Sequence, residues 1–320
     1  MNSAEPIVVN THGLSKSYKN VMALKSLNLI IPKHSIFGFL GPNGAGKTTT
    51  IKLLLGLIRP TSGSAAVFGY DINRESIEIR RRTGYLAQDV SYYKNMTARD
   101  ILRFRARFFY SRPKTKIEER VVQCLEMVEL TDKADRPIRG FSGGECQRLG
   151  IAQSLINSPD LLILDEPAAS LDPMGRRNVL DIMQRLREET TIFYSTHIID
   201  DVQRVSDSVA IMNQGKLVAQ APIEELLAEG DGNVYSITIK GDTQEAYARV
   251  SKLPWVSSIK VVHDNGRQTW QVSVNDKQRA EAELLRIIQY QGNSIVTEFG
   301  KRKQDLEEVF MNLVKENNNG

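Results

Sequence analysis

The residues with the plainest chemistry stand at 41–48, Gly-Pro-Asn-Gly-Ala-Gly-Lys-Thr. They fit G-x-x-x-x-G-K-[ST] at every fixed position. Glycines at this spacing let successive backbone N–H groups turn inward around a polyphosphate. Lys47 brings a point charge to the β- and γ-phosphates, and Thr48 offers a hydroxyl to Mg²⁺. The polyphosphate-binding set is therefore Gly41, Pro42, Asn43, Gly44, Ala45, Gly46, Lys47, Thr48 and Thr49. A second group, Asp165-Glu166, ends the apolar run Leu161-Leu-Ile-Leu164. Asp165 suits Mg²⁺, held directly or through water, and Glu166 suits orienting or deprotonating an attacking water. Acidic pairs are common at loop starts, so this pair takes its meaning from the phosphate loop upstream of it. The cofactors implied are ATP and Mg²⁺.

Both groups need strands to carry them. Ser35-Ile-Phe-Gly-Phe-Leu40 reads as a buried strand feeding the glycine loop, with a helix beginning near Lys47. Leu161–Leu164 and Thr191-Ile-Phe-Tyr194 are further short apolar runs, each followed by polar residues and a helical pattern. Short apolar strands alternating with helices specify an α/β sheet with a parallel core. Ile101, Phe104 and Phe108, then Val121, Leu125 and Val128, recur at helical spacing. They mark a helical subdomain of about 90–140 inserted into the sheet domain, with Phe104 and Phe108 facing its core.

A linker is expected over 224–233, with Glu229-Gly-Asp-Gly232 as its flexible end. Beyond it Tyr235, Ile237 and Ile239 alternate with polar residues, as do Trp270, Val272 and Val274. Asn265-Gly266 reads as a hairpin turn. Ala280, Leu284, Ile287 and Ile288 form an apolar helical face closed by Gly292. The order strand, helix, strand, strand, helix, strand specifies a small ferredoxin-like α+β domain. A last helix carries Leu306, Val309, Phe310 and Leu313, and the tail 317–320 reads as disordered. The domains expected are 1–228 and 229–320.

Composition narrows the partners. With 42 basic and 38 acidic residues the net charge is +4, which gives no basic footprint for nucleic acid. The two cysteines, Cys124 and Cys146, have no metal-ligand spacing and form no disulfide framework, which fits a reducing, cytoplasmic setting. The N-terminus lacks the basic and apolar regions of a signal peptide. No stretch approaches the roughly 18 apolar residues that span a bilayer. Action on a membrane would require a partner.

Phe141-Ser142-Gly143-Gly144-Glu145 resembles the signature motif of ATP-binding-cassette (ABC) proteins, usually Leu-Ser-Gly-Gly-Gln. The resemblance covers about 7–225, because the other family motifs appear in order. It implies a phosphate-loop NTPase cassette and gives further residues their roles. Tyr18 matches the aromatic that stacks on adenine. Gln88, in Gly84-Tyr-Leu-Ala-Gln88, matches the glutamine at the junction with the helical subdomain, a catalytic and Mg²⁺-linked position. Ser170-Leu171-Asp172 matches the loop that crosses between two cassettes, and His197 the histidine that contacts the γ-phosphate. Family geometry sets two cassettes head to tail, the signature of one facing the phosphate loop of the other, so the resemblance implies a homodimer. Glu145 departs from the usual glutamine. A carboxylate there would repel a γ-phosphate unless it folds back on the helix start, where Ser142 and Glu145 also read as a capping box.

Asp305-Leu-Glu-Glu-Val-Phe310 resembles the end of cassettes from two-component, ABC-2 type exporters, including multidrug and antibiotic-export types. The function implied is an ATP-hydrolysing subunit, peripheral on the inner face of the cell membrane, that energises an exporter with a permease on a separate chain. The alternatives are an importer subunit or a soluble, non-transport cassette ATPase. Chromosome and repair cassettes are excluded by the short spacing from Lys47 to Phe141, which leaves no room for their long coiled coils. Tyr92 and Tyr93, just ahead of the helical subdomain, are the expected contacts for a short permease helix.

Overall fold

A computed structural model describes residues 6–111, 114–229, 234–264, 267–290, 295–302 and 306–318. The chain divides into two compact units, 1–223 with 310–320, and 224–309.

In the first unit the strand Ile36–Leu40 is the structural centre. All five of its residues are buried. It lies in a six-stranded sheet in the order Lys216–Pro222, Ser208–Asn213, Ile36–Leu40, Thr191–Thr196, Leu161–Asp165, Thr83–Leu86. All neighbouring pairs are parallel except that of the edge strand Lys216–Pro222. Burial on both faces explains why the inner strands are near-continuous apolar runs without alternation. The register sets the strand ends level. Leu40 lies beside Thr196, and Asp165 beside Ser195. The phosphate loop, the acidic pair and the histidine segment therefore leave the sheet at one edge.

A second, antiparallel sheet is built on the long strand Ile7–Tyr18, which pairs with Val21–Leu27, Ile30–Pro32 and Ser62–Val67. A tight turn, with Lys19 at φ 50°, leaves Tyr18 at the strand's end.

Among the described residues between 87 and 160 there is no paired strand beyond one isolated bridge. Helices Ala98–Ala106 and Lys114–Met127 lead to Gly143–Leu155. The last packs on the sheet so closely that a Cβ added to Gly84 would lie 2.0 Å from the Ser154 carbonyl oxygen. The expected inward facing of Phe104 and Phe108 is wrong. They are 55% and 67% exposed and meet edge-on, centroids 5.3 Å apart. Ile101, Leu102 and Ala106 fill the inner face instead, and a Thr97–Asp100 capping box sets where that helix starts. Tyr92, expected on the surface, turns inward. Its hydroxyl donates to the Cys146 carbonyl at 3.1 Å, whereas Tyr93 is 79% exposed.

The expected linker is in part a helix, Ile223–Glu229. Glu224 and Glu225 suit the positive end of its dipole, and Ile223 and Leu226 are buried. Residues 230–232 of the expected flexible end lie outside the described residues.

The second unit holds strands Val234–Lys240, Val256–Asp264, Arg267–Val274 and Ile295–Lys301. A helix, Gln244–Val250, follows the first strand, and a helical run from Lys277 to Gln289, with a π-turn at Ala280–Leu284, follows the third. The sheet order is second, third, first, fourth, all antiparallel, which is the split βαβ arrangement of a ferredoxin-like unit. Its core joins Tyr235, Ile237, Ile239, Trp270 and Val272 to Ala280, Leu284 and Ile288. The Asn265-Gly266 turn and Gly292 lie outside the described residues. The last helix runs Leu306–Asn318, so only residues 319 and 320 of the expected disordered tail fall beyond it, and those lie outside the described residues.

Candidate functional site

The phosphate loop closes where backbone crowding forbids a larger residue. Gly46 has φ +104°, and a Cβ there would sit 2.7 Å from the Ala23 carbonyl oxygen. Only glycine adopts that conformation at such a contact without strain. The helix Lys47–Leu54 starts directly behind it, with Gly46 at its cap position and no side-chain cap, so its leading N–H groups face the loop. Lys47 is 94% buried. Its Nζ donates to the Gly41 carbonyl at 2.6 Å and lies 3.2 Å from Glu166 Oε1.

Around this lysine the strand ends converge. Thr48 Oγ1 donates to Asp165 Oδ1 at 3.3 Å, and Ser195 Oγ donates to the same oxygen at 2.6 Å. Asp165 Oδ2 is buried with no hydrogen-bond partner. An orphaned buried carboxylate oxygen beside a threonine hydroxyl is a fitting donor set for Mg²⁺, which prefers oxygen ligands. Successive side chains of a strand point to opposite faces. Glu166 escapes that rule through a left-handed φ of +52°, and its N–H is held by the Ser195 hydroxyl at 2.9 Å. Its Oε2 accepts from His197 Nδ1 at 2.9 Å. Glu166 thus forms an ion pair with Lys47 through Oε1, which has no hydrogen-bond partner, is bonded to His197 through Oε2, and is 5% exposed. A buried carboxylate in such a pair is fixed in orientation. Nearby Tyr85 has its phenol pushed up to about 12 by burial and by the Asp165 charge.

Of these groups Lys47, Thr48 and Glu166 face a cleft of about 440 Å³, lined also by Tyr18, Ala23, Asn43, Gly44, Gly46, Thr49 and Gln88. Tyr18 is 45% exposed at one side, with Lys16 Nζ 5.1 Å from its ring centroid. The cleft therefore offers an open aromatic face, a cradle of N–H groups and a carboxylate in one space. Asp165 and His197 stand behind Thr48 and Glu166 and do not line it, and neither do Gly41, Pro42 and Ala45. These last three shape the loop from behind, where Gly41 N–H donates to the Thr196 carbonyl at 3.2 Å and Ala45 N–H to the Pro42 carbonyl at 3.1 Å.

The signature residues lie elsewhere. Ser142, Gly143, Gly144 and Glu145 share a second cleft of about 320 Å³ with Ser170, Leu171, Asp172 and Arg148. Phe141 precedes it in extended conformation. Ser142 caps the helix Gly143–Leu155, and Glu145 folds back so that its Oε2 accepts from Ser142 N–H at 2.8 Å. Asp172 caps the next helix through Gly175 N–H at 2.7 Å.

Three neighbours of the site escape the sequence reading. Ser195 grips both acidic residues, and its signal was its register opposite Asp165, which only pairing reveals. Lys16 stands over Tyr18, and Lys133 is paired with Glu145. Neither belongs to any motif.

Comparison with known proteins agrees with this geometry. The family profile described as ABC transporter matches residues 24–169. YxlF of Bacillus subtilis, an uncharacterized ABC transporter ATP-binding protein, is 36% identical over 96% of this chain and 99% of its own. The bacitracin transport ATP-binding protein BcrA of Bacillus licheniformis is 40% identical over 68% of this chain and 71% of its own. The daunorubicin/doxorubicin resistance ATP-binding protein DrrA of Streptomyces peucetius is 33% identical over 98% of this chain and 94% of its own. Among solved structures, the dimeric post-hydrolysis cassette MJ0796 bound to ADP and Pi superposes with TM-score 0.62 at 26% identity, covering 67% of this chain and 98% of that one. The phosphate loop, the paired carboxylates and these likenesses together make this chain a member of the ATP-binding subunits of ABC transporters, an ATPase of the cassette family.

Proposed function

We propose that the chain energises an ABC exporter whose permease is a separate polypeptide, and that it works as a head-to-tail dimer of cassettes. The observation that carries the exporter reading is the reach of the DrrA likeness, which runs through both units of this chain. DrrA is named for daunorubicin/doxorubicin resistance and BcrA for bacitracin transport, which supports the exporter reading. No described helix is long and apolar enough to cross a membrane, so the path for cargo belongs to the partner. The domains proposed are the cassette over 1–228, with a helical subdomain at about 90–140, and the accessory domain over 229–320.

In the proposed roles Tyr18 stacks on adenine, and the loop from Gly41 to Thr49 wraps the phosphates. Lys47 meets the negative charge that develops at the γ-phosphate. Glu166 accepts a proton from the attacking water, and His197 holds Glu166 in place and meets the γ-phosphate. Thr48, Asp165 and Gln88 would hold Mg²⁺, which when bound neutralises charge on the phosphate oxygens. The separation of phosphate loop and signature into two clefts supports the dimer, since a second copy can bring its Ser142–Glu145 and its Ser170–Asp172 loop to the nucleotide.

Glu166→Gln is expected to leave ATP binding intact, slow hydrolysis by a factor of about 10² or more, and accumulate an ATP-loaded dimer. Lys47→Ala is expected to lose both binding and turnover. Nucleotide titration, phosphate release and size-exclusion chromatography with ATP measure all three. Unchanged turnover in either variant, or a Glu166→Gln protein that stays monomeric with ATP, refutes the assignment.

A further inference from the structure

The signature of this chain carries an anion where glutamine is usual, and the structure supplies its counter-charge. Lys133 sits on the single helical turn Thr131–Lys133, outside every motif. Its Nζ donates to Glu145 Oε1 at 2.7 Å, with the two side chains 32% and 13% exposed. The second oxygen, Oε2, is taken by Ser142 N–H. Both carboxylate oxygens are therefore held, one by the cap and one by the lysine. A capping box accepts glutamate or glutamine equally well for its own geometry. The difference between them is the charge, which the helix dipole favours at this end but which any polyphosphate presented to Gly143 and Gly144 would feel as repulsion. Burial alone would push the Glu145 carboxyl up, but the bonds from Lys133 and Ser142 outweigh it and hold it below the ordinary carboxylate value. Glu145 is therefore an anion in need of a partner. Arg136 attracts it more weakly, and Arg148, in the same cleft, is engaged by the carbonyls of Val128 and Glu129.

We propose that Lys133 is a positioning residue for the signature: it pins the Glu145 carboxylate to the helix cap and cancels its charge, so that the helix start meets a trans nucleotide with N–H groups and no net negative charge. The inference rests on the head-to-tail reading above. It predicts a one-way dependence, in which the lysine matters only while residue 145 is charged.

The test uses the full chain bearing Glu166→Gln, so that the ATP-loaded dimer accumulates, with Lys133→Met and Glu145→Gln added singly and together. The ATP concentration for half-maximal dimer is read by size exclusion, and monomer binding of a fluorescent ATP analogue reports that the phosphate-loop cleft is intact. Lys133→Met is expected to raise that concentration about tenfold while leaving analogue binding within twofold. In the Glu145→Gln background the same change is expected to alter it less than twofold. Lys133→Arg, which keeps the charge, is expected to retain most of the dimer. In the hydrolysing chain Lys133→Met should act on the ATP dependence of turnover more than on its rate at saturation. An equal loss from Lys133→Met in both backgrounds makes the lysine merely structural and overturns the inference, as does no loss in either. If the Glu166→Gln parent binds the analogue but forms no dimer with ATP, the head-to-tail reading falls, and this inference falls with it.

Discussion

Tyr18 shows how much a single exposed ring can carry. It lies at the rim of the cleft with an open face, and Lys16 sits over the ring 5.1 Å from its centroid. A base stacked there would gain about 1–3 kcal/mol, so Tyr18→Ala is expected to weaken ATP affinity by that amount. Tyr18→Phe is expected to be nearly silent in the same titration, since only the ring face is used. A large loss with phenylalanine would make the hydroxyl the working group. At this scale the site is legible wherever chemistry imposes a fixed spacing. Lys47 and Thr48 follow from their glycines, and Asp165 and Glu166 from the apolar run before them. Ser195 and Lys133 are not legible, because each acts across a distance in sequence that only folding closes, and Lys16 is legible only once it and Tyr18, two residues on, are placed on one face of a strand. A serine at a strand end and a lysine on a surface turn carry no local mark of what they will touch.

The elements hold these residues through register and close packing. Parallel pairing sets Leu40 level with Thr196 and Asp165 level with Ser195, which fixes the mouth of the cleft before any side chain is placed. The strand Thr83–Leu86 supports the opposite edge and carries Gly84 against the backbone of the signature helix. Gly84→Ala would set a methyl 2.0 Å from the Ser154 carbonyl, and backbone on that side cannot retreat without moving the helix. The expected cost is about 1–3 kcal/mol of stability, measured by denaturant unfolding, together with lower ATP-driven dimer formation. A variant as stable as the parent would mean that the helix shifts freely. Apolar spacing located these strands well, because strands buried on both faces allow little but apolar residues. It misplaced Phe104 and Phe108, because periodicity gives a helix an apolar stripe without saying which edge of the stripe meets the core. The edge that meets the core is the one carrying Ala98, Ile101, Leu102 and Ala106. The helix Ile223–Glu229 was missed for a simpler reason: Ile223, Leu226 and Leu227 do have helical spacing, but the run is only two turns long and its glutamates read as linker.

At the scale of the molecule, the outward Phe104 and Phe108, with Tyr93 79% and Phe109 37% exposed, leave aromatic surface on the helical part of the cassette. Exposed aromatics of this kind suit the apolar face of an amphipathic partner helix. Phe104→Ser with Phe108→Ser is expected to keep the basal ATPase of the free subunit and reduce co-purification with the permease at least tenfold. Normal permease capture would place the coupling surface elsewhere, and collapse of the ATPase would make the pair structural. Tyr92, bonded to the signature helix, is unsuited to that test. The left-handed backbone at Glu166 bears on the molecule as a whole. A non-glycine residue held at φ +52° costs of order 1 kcal/mol, and here it also buries a charge. Glycine at 166 would relax that backbone but leave the buried Lys47 without its carboxylate partner, and removing one member of a buried pair costs about 3–5 kcal/mol. A library screened only for heat resistance should therefore keep a strained glutamate at 166, so that endurance selects the same carboxylate the proposed chemistry needs.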